Sequence, residues 1–353
     1  MQMNGNHDVY LRLEMEDLRM KNFITIVAAM VLGVTMLAGC SASSSNQASS
    51  NEAVDGGDDI SVVATIFPEY DWVKEIVGDT QGVEETLLVD TGVDLHSYQP
   101  SAEDILTISE CDMFIYVGGE SDEWVEDALK SAVNEDMVVI NLLDVLGEDA
   151  AEEEVVEGMQ EEAEEAEEES EEEVEYDEHV WLSLKNAVKL CTAIEEGLEK
   201  VDAAHADAYK ANLDSYQAQL ENLDAEYAQM VENAQVTTVL FGDRFPFRYL
   251  VDDYGLDYYA AFVGCSAESE ASFETITYLA QKVDELGLSS ILQIESSDGK
   301  IAQTIKENTT NKDQQILTLD SMQSTTAEDA DNGVTYLSTM ESNLEVLTQA
   351  LQK

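Results

Sequence analysis

Short apolar runs alternate with amphipathic segments along most of the chain from Ile60 onward. Continuous apolar strands separated by helical segments are typical of parallel sheets that are buried on both faces. The predicted fold class is therefore α/β, with two lobes that each hold a roughly four-stranded parallel sheet flanked by helices. The predicted strands are 61–67, 85–89, 112–118 and 137–142 in the first half, and 236–241, 257–263, 289–294 and 315–319 in the second.

Helices between these strands are indicated by an apolar period near 3.6 residues and by capping residues. Ser101 and Asp104 have the spacing of a capping box. Ser272 can cap a helix that begins at the next residue. The predicted helices lie near 70–78, after 101, and at 123–133, 183–200, 202–234, 246–254, 273–286, 298–308 and 334–351.

The predicted helix at 202–234 carries a single apolar stripe with steps of four and three residues. The stripe consists of Tyr209, Leu213, Tyr216, Leu220, Leu223, Tyr227 and Met230. Such a stripe fits the seam of a coiled coil, or one face of a long spine helix that packs along both lobes. The two-lobed α/β pattern favours the spine. We place the first lobe at 60–201, the spine at 202–234 and the second lobe at 235–353.

The N-terminal region has the pattern of a secretory signal. Arg19 and Lys21 precede an apolar run from Phe23 to Leu37, which is too short to span a bilayer core of about 30 Å comfortably. The run ends in Leu37-Ala-Gly-Cys40, which resembles the lipobox of bacterial lipoproteins, although a membrane anchor with an incidental cysteine is an alternative. We predict an N-terminal extension and lipoprotein signal peptide over 1–39, a lipid on Cys40 that anchors the protein to the bacterial cell membrane, and a flexible tether over 40–59. Met20 is an alternative start.

The composition is strongly acidic, with 76 Asp and Glu, 16 Lys and Arg and a formal net charge of −60. This excludes a nucleic-acid binder that acts by neutralising phosphates, and it argues against a basic membrane-binding surface. Residues 148–178 contain 19 acids and no base, which predicts a disordered acidic loop over 148–177. The loop could concentrate cations through its negative field, or it could be a solvated tether with no such role.

The cysteines do not form a recognisable metal or disulfide pattern. Beside Cys40, only Cys111, Cys191 and Cys265 are present, and no CxxC spacing occurs. A disulfide framework and a cysteine-based zinc site are therefore disfavoured. Cys111 and Cys191 lie in apolar patterns and are predicted to be small buried residues.

Two of the four histidines are candidate metal ligands. His7 precedes Cys40, and His205 lies near the start of the spine helix and is predicted to be a surface residue. His96 and His179 instead occur where strands give way to helices, which is the usual edge of a site in α/β folds. Neutral imidazole is the commonest nitrogen ligand of zinc and related ions. By themselves, two loop histidines could equally be surface or hydrogen-bonded residues.

Four segments of the chain, from about Ile60 to the end, carry a resemblance to a known family. They are ATIFPEYDWVKEIVGD (64–79), DLHSYQPSAEDILTISECDMFIYVGGESDEWV (94–125), DEHVWLSLKNAV (177–188) and TYLSTMESNLEVL (335–347). The chain resembles the metal-binding lipoproteins of zinc and manganese ABC importers, the cluster A-I or zinc-uptake A family. In the third segment Glu178 replaces the proline of the family's Asp-Pro-His-x-Trp-Leu motif.

The resemblance implies an extracytoplasmic solute-binding protein that holds one metal ion between its two lobes. It implies His96 and His179 as ligands from the first lobe, and Asp320, in LTLDSM, as a ligand from the second. A third family ligand is normally His or Glu, but Arg244 stands in its place in FGDRFPFRYLVDDYGL. Because Arg cannot ligate a cation, Asp243 is the candidate replacement. Alternatively, Asp243 pairs with Arg244 or caps the helix.

Two imidazoles and two carboxylates suit Zn²⁺ in tetrahedral geometry and also suit Mn²⁺. We favour zinc over manganese as the transported ion. The implied partners are an ABC permease and its ATPase, and we expect a monomer. An enzyme is the main rival, because a metal site can activate water, but the sequence has no HExxH, GxSxG or P-loop motif. A surface adhesin is a third hypothesis that these residues do not exclude.

Overall fold

The structure is a computed structural model, and it describes residues 59–160, 175–266 and 270–352. The predicted signal peptide, the lipidated Cys40 and the tether up to residue 58 lie outside these ranges. Among the helices that the structure describes, none is long and apolar enough to cross a membrane.

The first lobe is built on a parallel sheet with the strand order β2-β1-β3-β4. Strand β1 ends three residues earlier than predicted, because Pro68 lies in the first turn of the following helix, where its missing N–H costs no hydrogen bond. The strands are β1 (Ile60–Ala64), β2 (Val83–Leu87), β3 (Met113–Tyr116) and β4 (Val138–Asn141). The helices are α1 (Phe67–Val77), α2 (Ala102–Glu110), α3 (Trp124–Leu129), α4 (Leu142–Leu146) and α5 (Leu184–Val201).

The second lobe repeats this arrangement with a parallel sheet in the order β6-β5-β7-β8. The predicted fold class, with two four-stranded parallel sheets flanked by helices, is therefore confirmed. The strands are β5 (Thr238–Phe245), β6 (Asp257–Val263), β7 (Ser290–Ile294) and β8 (Gln315–Leu319). The helices after the spine are α7 (Arg248–Tyr254), α8 (Phe273–Leu286), α9 (Lys300–Asn308), α10 (Ala327–Asp331) and α11 (Tyr336–Ala350).

The spine is helix α6, Ala206–Glu232. Its 27 residues span about 40 Å at 1.5 Å per residue, which is shorter than the predicted helix at 202–234. The residues of the apolar stripe are buried except Met230, which is partly buried. The helix packs against α1 and α5 of the first lobe and against α7 and α11 of the second. The stripe therefore forms the face of a spine within one chain.

The last helix, α11, joins the two lobes beside the spine. The backbone N–H of Tyr336 donates to Asp71 Oδ2 at 2.8 Å, and its hydroxyl donates to the carbonyl oxygen of Trp181 at 2.6 Å. Trp181 Nε1 in turn donates to the carbonyl oxygen of Ser321 at 2.9 Å. Because these groups are buried, the hydrogen bonds fix the orientation of the lobes around the cleft.

The expectation of disorder over 148–177 is wrong for the described ends of this segment. We call residues 150–160 the acidic strap, because they lie against the second lobe. The backbone N–H of Gln160 donates to the carbonyl oxygen of Ala261 at 2.9 Å, and that of Ala151 donates to the Tyr249 hydroxyl at 3.0 Å. Glu154 pairs with Arg248. These contacts offset the mutual repulsion of the acids. Residues 161–174 of the predicted loop lie outside the described ranges.

Candidate metal site

His96 lies in the loop that follows β2 and contacts three polar residues. It lies in a 3-10 turn, Leu95–Ser97, whose N-cap residue Asp94 accepts the His96 N–H at 3.1 Å. The ring Nδ1 lies 2.6 Å from Ser121 Oγ and 3.4 Å from Glu178 Oε2. With Nδ1 engaged on this side, the opposite ring nitrogen, Nε2, faces the cleft.

His179 is fully buried and is oriented by a carboxylate. It is the N-cap residue of a 3-10 turn, Val180–Leu182, just before α5. Asp177 Oδ1 lies 2.9 Å from the ring Nδ1 and accepts the backbone N–H of His179 at 2.9 Å. Tyr249 donates its hydroxyl hydrogen to the Asp177 carbonyl at 2.8 Å. A carboxylate on one imidazole nitrogen orients the ring and raises the basicity of the other nitrogen, as is usual for metal-binding histidines.

The Nε2 atoms of His96 and His179 face each other at 3.1 Å. Two nitrogen ligands of one tetrahedral zinc ion, each about 2.05 Å from it, lie about 3.3 Å apart. Burial and the neighbouring charge of His179 lower the pKa of His96. For His179, burial opposes the charged form, but the charge and hydrogen bond of Asp177 outweigh it and raise the pKa. One proton between the two rings suits this pair, and a cation placed between the nitrogens could replace it.

Cys265 completes a group of three potential ligand atoms with the two histidines. One ligand atom from each of His96, His179 and Cys265 lies within 4.8 Å of the others. Across the described ranges, this is the only group of three His, Cys, Asp or Glu side chains with that spacing. The spacing of the cysteines disfavours a cysteine-based zinc site, and it does not indicate a single cysteine beside two histidines. The only feature of the sequence that could have indicated Cys265 is its position. It follows the carboxyl end of β6, which is where sites form in parallel sheets.

Asp243 and Arg244 lie at the end of β5, beside an irregularity in its pairing with β6. Asp243 Oδ1 accepts the backbone N–H of Arg244 at 2.9 Å, and burial raises the pKa of the Asp243 carboxyl. Arg244 crosses the cleft and pairs with Asp94, next to His96. The structure thus places the Arg244 guanidinium beside the site, and it does not bring Asp243 into the group of three ligand atoms.

Asp320 follows β8 and is also outside that group. Its Oδ1 accepts the backbone N–H of Met322 at 2.8 Å, and its own N–H donates to Asn343 Oδ1 at 2.9 Å. Burial and the charge of Glu295 raise the pKa of Asp320 to about 6. Of the four predicted ligands, the structure therefore brings together only His96 and His179. The ligand roles of all four stay predictions.

Glu178 supports the site in a way that the sequence reasoning missed. Its Oε1 accepts the backbone N–H of Ser121 at 2.9 Å, which ties the start of the His179 segment to the loop that touches His96. A Cβ atom at Gly119 would lie 2.3 Å from Glu178 Oε1, so this loop needs glycine to approach the carboxylate. The residue that departs from the motif thus holds the two histidine segments together.

The family comparison agrees with the fold. The family described as "Zinc-uptake complex component A periplasmic" (ZnuA) matches residues 62–350. The chain belongs to this family. The resemblance predicted from the sequence is confirmed.

The chain is also similar to named relatives and to solved structures. It is 30% identical over 290 residues to the zinc-binding lipoprotein AdcA of Streptococcus pneumoniae R6, with 82% of this chain and 55% of that protein covered. The chain thus spans about half the length of the AdcA relatives. It is 30% identical over 323 residues to the high-affinity zinc uptake system protein ZnuA of Bacillus subtilis 168, with 90% of this chain and 97% of that protein covered.

A crystal structure of the Zn(II)-bound ZnuA-like domain of Streptococcus pneumoniae AdcA has the same fold. The TM-score is 0.64 at 26% identity, and the alignment covers 83% of this chain and 99% of that domain. Because nearly the whole domain is covered, both lobes have counterparts in that structure.

Proposed function

We propose that this protein captures a divalent transition metal ion, with zinc favoured over manganese, and delivers it to an ABC permease and its ATPase. It acts outside the cytoplasm as a binding protein without a catalytic step. The observation that carries this proposal is the pair of Nε2 atoms 3.1 Å apart, each on a ring whose Nδ1 is already engaged.

The surroundings of this pair suit the capture of an ion. His179 is fully buried and His96 is largely buried, with 9% of its side chain exposed. A cation that enters must give up much of its hydration, and the ligands that replace its water molecules are already oriented. The carboxylates of Asp94, Asp177 and Glu178 surround the rings and lower the cost of placing a positive charge there.

The relatives support zinc as the preferred ion. The Streptococcus pneumoniae relative is named a zinc-binding lipoprotein, and the Bacillus subtilis relative, which is covered almost completely, is named a zinc uptake protein. Zinc also accepts nitrogen ligands at the observed spacing in its preferred tetrahedral geometry, whereas Mn²⁺ prefers more oxygen ligands.

Metal analysis of the purified protein tests the proposal directly. We expect about one zinc ion per chain when the protein is purified without chelators and analysed by mass spectrometry. Metal-free protein titrated with zinc and with manganese should bind zinc more tightly. Metal-free protein that binds neither ion in calorimetry, while remaining folded, would contradict the proposal.

The membrane anchor is a separate part of the proposal. Cys40 ends a signal-like segment in Leu-Ala-Gly-Cys, and a lipid there would keep the binding protein next to its permease. Cells that express the protein should incorporate labelled fatty acid into it, and Cys40→Ser should lose the label while Cys111→Ser keeps it. Labelling that persists in Cys40→Ser would contradict this part of the proposal without affecting the proposal of metal capture.

A further inference from the structure

We infer that Cys265 is the third protein ligand of the captured metal, which makes the site a two-histidine, one-thiolate site. This inference rests on the proposed function, since it concerns the same metal ion. It assigns the ligand role to a residue of the second lobe that the sequence motifs do not indicate.

The spacing of the three side chains carries the inference. One ligand atom of Cys265 lies within 4.8 Å of those of His96 and His179. In a tetrahedral zinc site, with Zn–N near 2.05 Å and Zn–S near 2.3 Å, a sulfur and a nitrogen ligand lie about 3.6 Å apart. Binding therefore requires the sulfur to approach the nitrogens by no more than about 1.2 Å, which is within reach of a side-chain rotation.

The backbone beside Cys265 is packed directly on a histidine ring. A Cβ atom at Gly264 would lie 2.8 Å from Cε1 and 3.0 Å from Nδ1 of His179, so only glycine leaves room for this approach. On the other side, the backbone N–H of Cys265 donates to Glu153 Oε1 of the acidic strap at 3.4 Å. The chain thus holds Cys265 between the strap and His179.

Other candidates for a ligand from the second lobe fit less well. Arg244 is close to the site, but its guanidinium has no lone pair to offer and is paired with Asp94. Asp243 and Asp320 each accept a backbone hydrogen bond and lie outside the group of three ligand atoms. Cys111 and Cys191 are buried at 1% and 0% exposure and are not part of that group.

When Cys265 coordinates the metal, its S–H bond is replaced by a bond from sulfur to the metal. The thiol gives up its proton to solvent, the sulfur forms a Zn–S bond, and a water molecule leaves the hydrated ion. Thiolate is a soft ligand that favours zinc over manganese, which prefers oxygen. Cys265 would therefore act as a determinant of specificity as well as of affinity.

Cobalt substitution and two cysteine variants test the inference. Co²⁺ bound to the metal-free protein should show a thiolate-to-cobalt charge-transfer band, which Cys265→Ser should abolish. The same variant should lose zinc affinity by about tenfold or more, with a smaller change for manganese. Cys111→Ser is the matched control, because Cys111 is buried away from the site and its sulfur donates to the Ile108 carbonyl, a hydrogen bond that serine can keep. It should retain the band and the zinc affinity.

The outcomes separate the inference from the proposed function. If Cys265→Ser keeps the band and full zinc affinity while His96→Ala loses zinc binding, Cys265 is not a ligand and metal capture stands. Equal losses of zinc and manganese affinity in Cys265→Ser, with the band unchanged, would also overturn the ligand role. If the unaltered folded protein binds no zinc and no cobalt, both the ligand role and the proposed function are wrong.

Discussion

Replacing His96 with alanine is expected to lower zinc affinity by about 100-fold or more, since loss of even an outer-shell partner of a metal ligand costs 10–100-fold. The substitution removes one of the two facing nitrogens and leaves His179 without its imidazole partner. The affinity is best measured by competition with a chromophoric zinc chelator, because direct titration saturates when binding is tight.

His205→Ala is the matched control for this substitution. His205 is exposed at the N-cap of the spine helix, pairs with Asp202, and is not in the group of three ligand atoms. It should bind zinc like the unaltered protein. Circular dichroism of the metal-free variants should show the same fold in both. Equal zinc affinities for His96→Ala and His205→Ala would remove His96 from the site.

Replacing Glu69 with glutamine is expected to flatten the pH dependence of stability between about pH 5 and 8. Glu69 is fully buried, and its Oε2 accepts hydrogen bonds from Thr65 N, Thr65 Oγ1 and Ile66 N. Burial, with a contribution from the charge of Asp122, raises the pKa of Glu69 from 4.5 to about 8.

The sign of this effect follows from proton binding. Between pH 4.5 and 8 the folded protein keeps a proton on Glu69 that the unfolded chain has lost, so this residue makes the free energy of unfolding fall as the pH rises. The loss is on the order of a few kcal/mol at 1.36 kcal/mol per pKa unit. Below pH 4.5 the proton is bound in both states, and this dependence vanishes.

Urea denaturation at several pH values measures this difference. Glu69→Gln cannot titrate, so its free energy of unfolding should rise relative to that of the unaltered protein as the pH increases. Glu103→Gln removes a carboxylate from an exposed position on α2 and should follow the unaltered protein. Parallel curves for all three proteins would show that Glu69 is ionised in the folded state.

Most of the fold could be predicted because its elements are specified locally. Ser101 and Ser272 cap the helices predicted to begin after them, and the predicted apolar runs overlap the strands of both sheets. The errors lie at element ends, as at β1, where a helix begins at Phe67 within the predicted strand 61–67, and in the short helices α4 and α10, which were not predicted. The spine helix was found from its apolar stripe, which depends only on helical periodicity.

The acidic strap shows why local composition was insufficient to predict whether this segment is ordered. A run of acids without a base predicts disorder when the segment is taken by itself. The strap instead uses backbone hydrogen bonds to Ala261 and Tyr249 on the second lobe, and such partners are invisible in the segment's own composition.

The two-lobed α/β fold, the spine, the family, and His96 and His179 as candidate ligands could all be predicted from the chain, because they depend on periodicity, capping and short motifs. Which side chains meet could be learned only from the folded protein. It brought Cys265, 86 residues after His179, to the histidines, and it left Asp243 and Asp320 outside their group. Ligand spacing depends on the packing of two sheets around the spine, and a shift of one residue at the end of a strand redirects a side chain.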